Sequence, residues 1–408
     1  MRYENLTFEN RDGQRLSARL DMPIEGAPRA YALFAHCFTC GKSLTAVGHI
    51  SRALNRRGIA VLRFDFTGLG ESEGDFADTT FSSNVEDLVD AAAFLERYDR
   101  GPAILVGHSL GGAAVLKAAA QLPSVRAVAT IGAPHDPAHV TNLLGDAARR
   151  IETDGEADIS LGGRSFTIRK SFLDDIEAQR VDDNLKTLGR ALLIFHAPLD
   201  EIVGIENAAL LFQAARHPKS FVSLDQADHL LSDEADSQYV GEVLAAWAGK
   251  YLAPAPAPAA GHEGDAHDAR VTARVGREGY VTEITAQGHA LVADEPVSLG
   301  GTDLGPSPYG LLAAALGACT SMTLRMYADR KNWPLEGVVT RLRHEKIHAE
   351  DCASCEQKTG KIDRIDREIE LLGPLDDTQK TRLLEIADRC PVHRTLHTEV
   401  SVITTLAS

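Results

Sequence analysis

The segment Gly107-His108-Ser109-Leu110-Gly111-Gly112 sets one serine hydroxyl between glycines two residues before and two residues after it. An apolar run at 103–106 leads into it and a helix-forming stretch at 113–121 leads away. A strand that turns sharply into a helix exposes the residue at the turn to an incoming carbonyl carbon, and small neighbours let the backbone make that turn. Ser109 is therefore a candidate nucleophile. Its hydroxyl needs a base, and an imidazole base needs a carboxylate that holds its tautomer and stabilises its protonated form. Both follow in the chain. His196-Ala197-Pro198-Leu199-Asp200 comes after the apolar run 192–195, and Asp225-Gln226-Ala227-Asp228-His229 comes after 221–224. Asp200 closes a loop of four residues after a strand and His229 lies in the last strand-to-helix loop. Glu201 is the nearest rival carboxylate, and Asp225 and Asp228 flank the histidine.

Positioning such groups takes a rigid frame. Apolar runs at 30–35, 60–64, 103–106, 127–131 and 191–195 alternate with helix-length amphipathic stretches at 45–57, 85–98 and 237–251. This alternation predicts an α/β domain over 1–252, with a parallel, doubly wound sheet covered on both faces. Residues 135–188 break the rhythm, and a hairpin is expected across 159–168 with Gly162-Gly163 at its turn, so this insertion reads as a small lid.

With Ser, then Asp, then His on loops at the carboxyl ends of successive strands, residues 1–252 resemble the α/β-hydrolase family of serine esterases. The resemblance implies a Ser109–His229–Asp200 triad and an acyl-serine intermediate, and a small, short-acyl ester is expected as substrate. His36-Cys37-Phe38-Thr39-Cys40-Gly41 resembles the His-Gly-Phe-Thr-Gly loop of family esterases, with cysteines where that loop has glycines. By that resemblance the N–H groups of Phe38 and Leu110 form the oxyanion hole, and removing one such donor costs on the order of 100-fold in rate. Cys37 and Cys40 read as two inert small side chains, the alternative being a redox pair that distorts the hole when oxidised. Phe64-Asp65-Phe66-Thr67-Gly68-Leu69-Gly70-Glu71-Ser72 resembles the Asp-x-x-Gly-x-Gly-x-Ser turn of the same family, with Asp65 expected to brace backbone amides.

Residues 253–267 alternate Ala and Pro before turning to Gly and charge, a semi-rigid spacer that marks off a second domain at 268–408. Strand-like segments at 275–280 and 286–293 precede a long helix at 308–324. That helix is apolar around almost its whole circumference and is expected to be buried. A second helix, 378–387, leads to Cys390-Pro391. A cysteine in an Ala-rich helix, a second in a Cys-Pro context and the turn Gly276-Arg277-Glu278-Gly279 together resemble the OsmC/Ohr family of thiol-dependent hydroperoxide reductases. The resemblance implies a separate α+β domain, an intertwined homodimer and a thiol reductant as partner. It also implies Cys319 as peroxidatic thiolate, Cys390 as resolving thiol and Arg277 as the cation beside them. Active members carry a glutamate after the proline that opens the helix, whereas Tyr309 and Gly310 follow Pro308. Three readings of this domain stand together: an appendage to an esterase, a hydroperoxide reductase that is the main activity, and a noncatalytic dimerisation module. The cluster from His344 to Cys355 offers two histidines and a C-x-x-C pair, but it reads as a polar loop, and no metal or cofactor is assigned.

Composition narrows the partners. The 408 residues include 42 basic against 58 acidic side chains, a net charge of -16, which argues against nucleic acid or an anionic membrane surface. The first 12 residues have no apolar core and no stretch offers about 20 uninterrupted apolar residues, so a cytoplasmic location is expected. The six cysteines form two C-x-x-C pairs and two singletons rather than a secreted disulfide framework.

Overall fold

The computed structural model describes residues 2–406 apart from 24–26, 38–40, 43, 162–163, 180–181, 253–270, 278, 288 and 349–360. The chain forms two compact units, Met1–Thr272 with Thr285–Ala290, and Ala273–Ile284 with Leu291–Ser408.

The first unit begins with an antiparallel pair, β1 (Arg2–Glu9) and β2 (Arg15–Met22). It continues through β3 (Ala30–Ala35), α1 (Thr45–Arg56), β4 (Ile59–Phe64), α2 (Phe81–Tyr98), β5 (Ile104–His108), α3 (Leu110–Ala118) and β6 (Ala127–Ile131). The chain then leaves the sheet for an insertion: α4 (Asp146–Asp154), the hairpin β7 (Glu156–Leu161) and β8 (Arg164–Arg169), α5 (Lys170–Ala178) and α6 (Asp182–Thr187). It returns as β9 (Ala191–His196), α7 (Glu206–Ala214), β10 (Lys219–Ser223) and α8 (Glu234–Ala248). The strands form one eight-stranded sheet in the order β1-β2-β4-β3-β5-β6-β9-β10, parallel from β4 through β10.

Every residue of β3, β4, β5, β6 and β9 is buried, which is why these segments read as unbroken apolar runs. One face packs on α1 and α8 through Ile50, Leu54, Val240 and Leu244, and the other on α2 and α3 through Leu88, Leu95, Val115 and Leu116. The helix starts are fixed locally. Thr80 and Ser83 form a reciprocal capping box on α2, and the Asp233 carboxylate accepts the Ala235 N–H at the head of α8. The insertion shares the second of these cores: Ile159, Ile168, Phe172 and Ile176 are buried in it, Phe166 meets Phe76 edge to face at 5.1 Å, and Asp175 accepts from the N–H and hydroxyl of Ser82.

A three-stranded sheet runs β11 (Val271–Val275), β12 (Thr282–Ala286), β13 (His289–Ala293). Beyond it come α9 (Pro308–Lys331), the antiparallel pair β14 (Gly337–His348) and β15 (Lys361–Leu372), α10 (Asp377–Ala387) and α11 (Pro391–Leu396). Leu324, Ala328, Leu335, Leu383 and Ile386 make a small core. The expectation that the long helix is buried all round is corrected here. Only Leu316, Gly317, Thr320, Leu324 and Ala328 are buried, a stripe repeating every three to four residues, whereas Met322 is 65% and Met326 72% exposed. A small unit has too few elements to surround a helix of 24 residues, so the sequence carries more apolar surface than this unit covers. Among the described residues, α9 is also the one helix long and apolar enough, by length and composition, to cross a bilayer.

Candidate active site

Ser109 sits between β5 and α3 with φ 55° and ψ -126°, a conformation that costs a residue with a Cβ about 1–3 kcal/mol. Its N–H donates to the Ile131 carbonyl at 2.9 Å, and its own carbonyl accepts from the Gly112 N–H at 2.8 Å. The flanking glycines serve close packing: a Cβ on Gly107 would run into the Gly111 carbonyl, and one on Gly111 into the His36 carbonyl. Leu110 opens α3, so its N–H is among the first four of that helix and has no partner within it.

The loop after β9 delivers Asp200. Its Oδ1 accepts the N–H groups of Ile202 and Val203, each at 2.9 Å, and its Oδ2 lies 2.7 Å from Nδ1 of His229 in the loop after β10. Burial works to raise the Asp200 carboxyl, but the His229 hydrogen bond and the two backbone amides outweigh it and hold the group below its ordinary 3.8. The rival carboxylates point elsewhere: Glu201 is exposed, Asp225 accepts from the Ser223 hydroxyl, and Asp228 accepts from the Ser232 N–H. Gly132, just beyond β6 at φ 54°, closes the gap, since a Cβ there would stand 3.2 Å from both Asp200 Oδ2 and His229 Nδ1. The carboxyl ends of β5, β6, β9 and β10 thus converge on one edge of the sheet.

Three histidines absent from the site expected from the sequence also stand at the carboxyl ends of strands there. His36, His108 and His196 are buried, and burial depresses all three, His108 to about 4. Nδ1 of His36 faces the Cys37 carbonyl at 2.7 Å, Nε2 of His196 the Val203 carbonyl at 2.7 Å, and Nε2 of His108 the His229 carbonyl at 2.6 Å. Their common signal in the sequence is position: each closes or directly follows an apolar run.

Asp65 braces amides as expected, with a partner the sequence did not reveal. Oδ1 accepts the Lys42 N–H at 2.7 Å, and Oδ2 accepts the Glu71 N–H at 3.1 Å and the Lys42 ammonium at 2.6 Å. The Arg63 guanidinium donates to the Lys42 carbonyl and pairs with buried Asp21. This buried network fixes the end of the loop on which the Phe38 donor was expected. Phe38 and Cys40 themselves lie outside the described residues. Cys37 is disulfide-bonded, so the reading of it as an inert thiol is corrected.

In the second unit Cys319 and Cys390 are both free and converge on the first turn of α11. Val392 N–H donates to Cys319 Sγ at 3.5 Å and His393 N–H to Cys390 Sγ at 3.3 Å. Arg277 is exposed beyond β11. Arg367 of β15 donates to the Thr320 hydroxyl at 3.0 Å and pairs with Asp388, while Thr320 Oγ1 stands 3.7 Å from Cys390 Sγ. Tyr309 stacks on His344 with ring centroids 4.1 Å apart, and His344 in turn bonds Asp363 at 2.8 Å. Cys352 and Cys355 lie outside the described residues.

The model of the alpha/beta hydrolase family matches residues 32–296. The chain belongs to the alpha/beta hydrolase family. A model described as OsmC-like protein matches residues 301–405, so the hydrolase domain is followed by a separate OsmC-like domain, the fusion expected from the sequence. The crystal structure of the esterase domain of a Rhodothermus marinus protein is 57% identical with a TM-score of 0.52, covering 62% of this chain and 100% of that one. The mitochondrial palmitoyl-protein thioesterase ABHD10 of mouse is 30% identical over 187 residues, 44% of this chain and 62% of that protein, so the chain spans less than two thirds of this relative's length. The structure of mouse alpha/beta hydrolase domain-containing protein 10, at 21% identity and a TM-score of 0.52, shares the fold. These neighbours share the α/β-hydrolase fold of the first unit.

Proposed function

We propose that the hydrolase domain is a serine carboxylesterase acting on small, short-acyl esters. Ser109 Oγ attacks the ester carbonyl carbon while Nε2 of His229 takes its proton. The tetrahedral intermediate collapses to an acyl-Ser109 ester as His229 returns the proton to the leaving alkoxide. Water, deprotonated by His229, then releases the acid and restores Ser109. Asp200 holds the imidazole with Nδ1 protonated, and the N–H groups of Leu110 and Phe38 receive the oxyanion. The observation that carries this reading is the 2.7 Å contact of Asp200 Oδ2 with His229 Nδ1, on the same sheet edge as a serine held at positive φ. The 57% identical esterase domain and the thioesterase relative support acyl transfer to water as the reaction class. Initial rates on p-nitrophenyl esters of rising chain length test it. Ser109→Ala is expected to lower turnover at least about a thousandfold, with the wild-type optimum at short chains; full turnover by the variant would overturn the reading.

A second reading concerns the OsmC-like domain, where two free cysteines meet on one helical turn. In it the Cys319 thiolate attacks an organic hydroperoxide, the alcohol leaves, and the resulting sulfenic acid condenses with Cys390 to a disulfide and water, which an external thiol reduces. Cys319→Ser should abolish hydroperoxide consumption and spare ester hydrolysis. The exposed Met322 and Met326 side of α9 supports a homodimer in which a second copy covers it. If Met326→Glu shifts the mass in light scattering to that of a single chain while Cys319→Ser leaves hydroperoxide consumption unchanged, the domain is a dimerisation scaffold.

A further inference from the structure

We infer that His108 is a positioning residue for the base His229, tying the catalytic imidazole's loop to the strand that carries the nucleophile. The inference rests on the serine-hydrolase reading above and deepens it. His108 is the last residue of β5 and immediately precedes Ser109. Its Nε2 lies 2.6 Å from the main-chain carbonyl of His229, and the two rings stand 5.0 Å apart between centroids. A carbonyl only accepts, so Nε2 of His108 carries the proton and donates.

Asp200 fixes His229 from the other side, through its ring nitrogen. One residue is thus held at two points, the ring by the β9 loop and the backbone by the β5 strand. Asp200 alone leaves the His229 main chain free to shift with its loop, and about 1 Å of misplacement between base and nucleophile costs on the order of 100-fold in rate. The hydrogen bond from His108 removes that freedom across a path of two residues from the Ser109 backbone. Burial depresses His108 to about 4, so at neutral pH the ring carries a single N–H, and that N–H is committed to the His229 carbonyl.

The experiment compares three variants on one ester substrate and adds a spectroscopic test of the wild-type protein. His108→Leu removes the donor, and His108→Gln returns an N–H near the Nε2 position. His108→Leu is expected to lower kcat at least 10-fold with KM within twofold, and His108→Gln to recover most of that loss. Imidazole 15N NMR of the wild-type protein at neutral pH is expected to show His108 neutral and protonated on Nε2. A wild-type kcat in His108→Leu, equal impairment of the Leu and Gln variants, or an Nδ1-protonated His108 each overturns the inference. Ser109→Ala separates the two levels. If it retains turnover, the serine-hydrolase reading itself falls; if it abolishes turnover while His108→Leu does not, only the role of His108 falls.

Discussion

Oδ2 of Asp200 meets Nδ1 of His229 at 2.7 Å, while Oδ1 of the same carboxylate takes two backbone N–H groups of its own loop. The two oxygens have separate tasks. One anchors the carboxylate to the turn after β9, and the other dictates which ring nitrogen of His229 keeps its proton. Replacing Asp200 by Asn leaves a side chain of the same size but offers an N–H or a neutral oxygen to the ring, so the tautomer is no longer enforced. Asp200→Asn is expected to lower kcat by on the order of 10⁴ with little change in KM, read from steady-state ester hydrolysis.

The buried histidines give the protein an acid limit. An unfolded chain takes a proton on each near pH 6.5, whereas folded His108 resists until about 4, and His36 and His196 are also depressed. Between those values the unfolded state binds more protons, so stability rises with pH and is lost as pH falls from 6.5. Asp200 acts in the same sense lower down, losing its contribution as pH drops through a folded value under 3.8. Urea unfolding of wild type and His108→Gln at pH 7, 6 and 5 reads this directly. The wild type is expected to lose roughly 1 kcal/mol more per pH unit below 6.5 than the variant, and parallel curves would show that His108 titrates normally.

Lys42 and Asp65 are buried together, with side-chain exposures of 8% and 3%. Removing one partner leaves the other charged in a dry environment, a change that typically costs 3–5 kcal/mol. Lys42→Met should therefore destabilise the protein by about 3 kcal/mol in denaturant unfolding. Because the Lys42 backbone and ammonium both donate to Asp65, and Lys42 follows the segment proposed to carry the Phe38 donor, kcat at permissive temperature should fall as well.

Cys37 directly follows His36, whose carbonyl abuts Gly111 in the strand-to-helix turn that carries Ser109. A disulfide at Cys37 narrows the freedom of the loop expected to carry the Phe38 donor. Dithiothreitol is expected to lower kcat several-fold, reversibly on reoxidation, and to leave a Cys37→Ser variant unaffected. Identical rates with and without reductant would mean that the bond does not bear on the site.

What the sequence disclosed was whatever a short stretch of chain specifies by itself. The central strands announce themselves because burial on both faces demands unbroken apolar runs, and Ser109, Asp200 and His229 stood out because each lies in a turn or loop that follows a strand-like run. β1 and β2 were not legible, since an edge pair alternates charged and apolar residues and its pairing is set by distant partners. The contacts of His108 with His229 and of Lys42 with Asp65 join residues 121 and 23 positions apart, and no local pattern encodes such distances. The error at α9 has the opposite origin: apolar composition was legible, but how much of it one small unit covers depends on the number of packed elements. Arg367 escaped notice for the same reason as Lys42, since its bond to Thr320 joins residues 47 positions apart.

Covalent labelling with a fluorophosphonate, followed by intact-mass and peptide mass spectrometry, tests the central claim most directly. One adduct per chain is expected, mapped to the peptide containing Ser109, absent from Ser109→Ala and formed much more slowly in Asp200→Asn. An adduct on another residue, or undiminished labelling of Ser109→Ala, would contradict the assignment of Ser109 as the nucleophile.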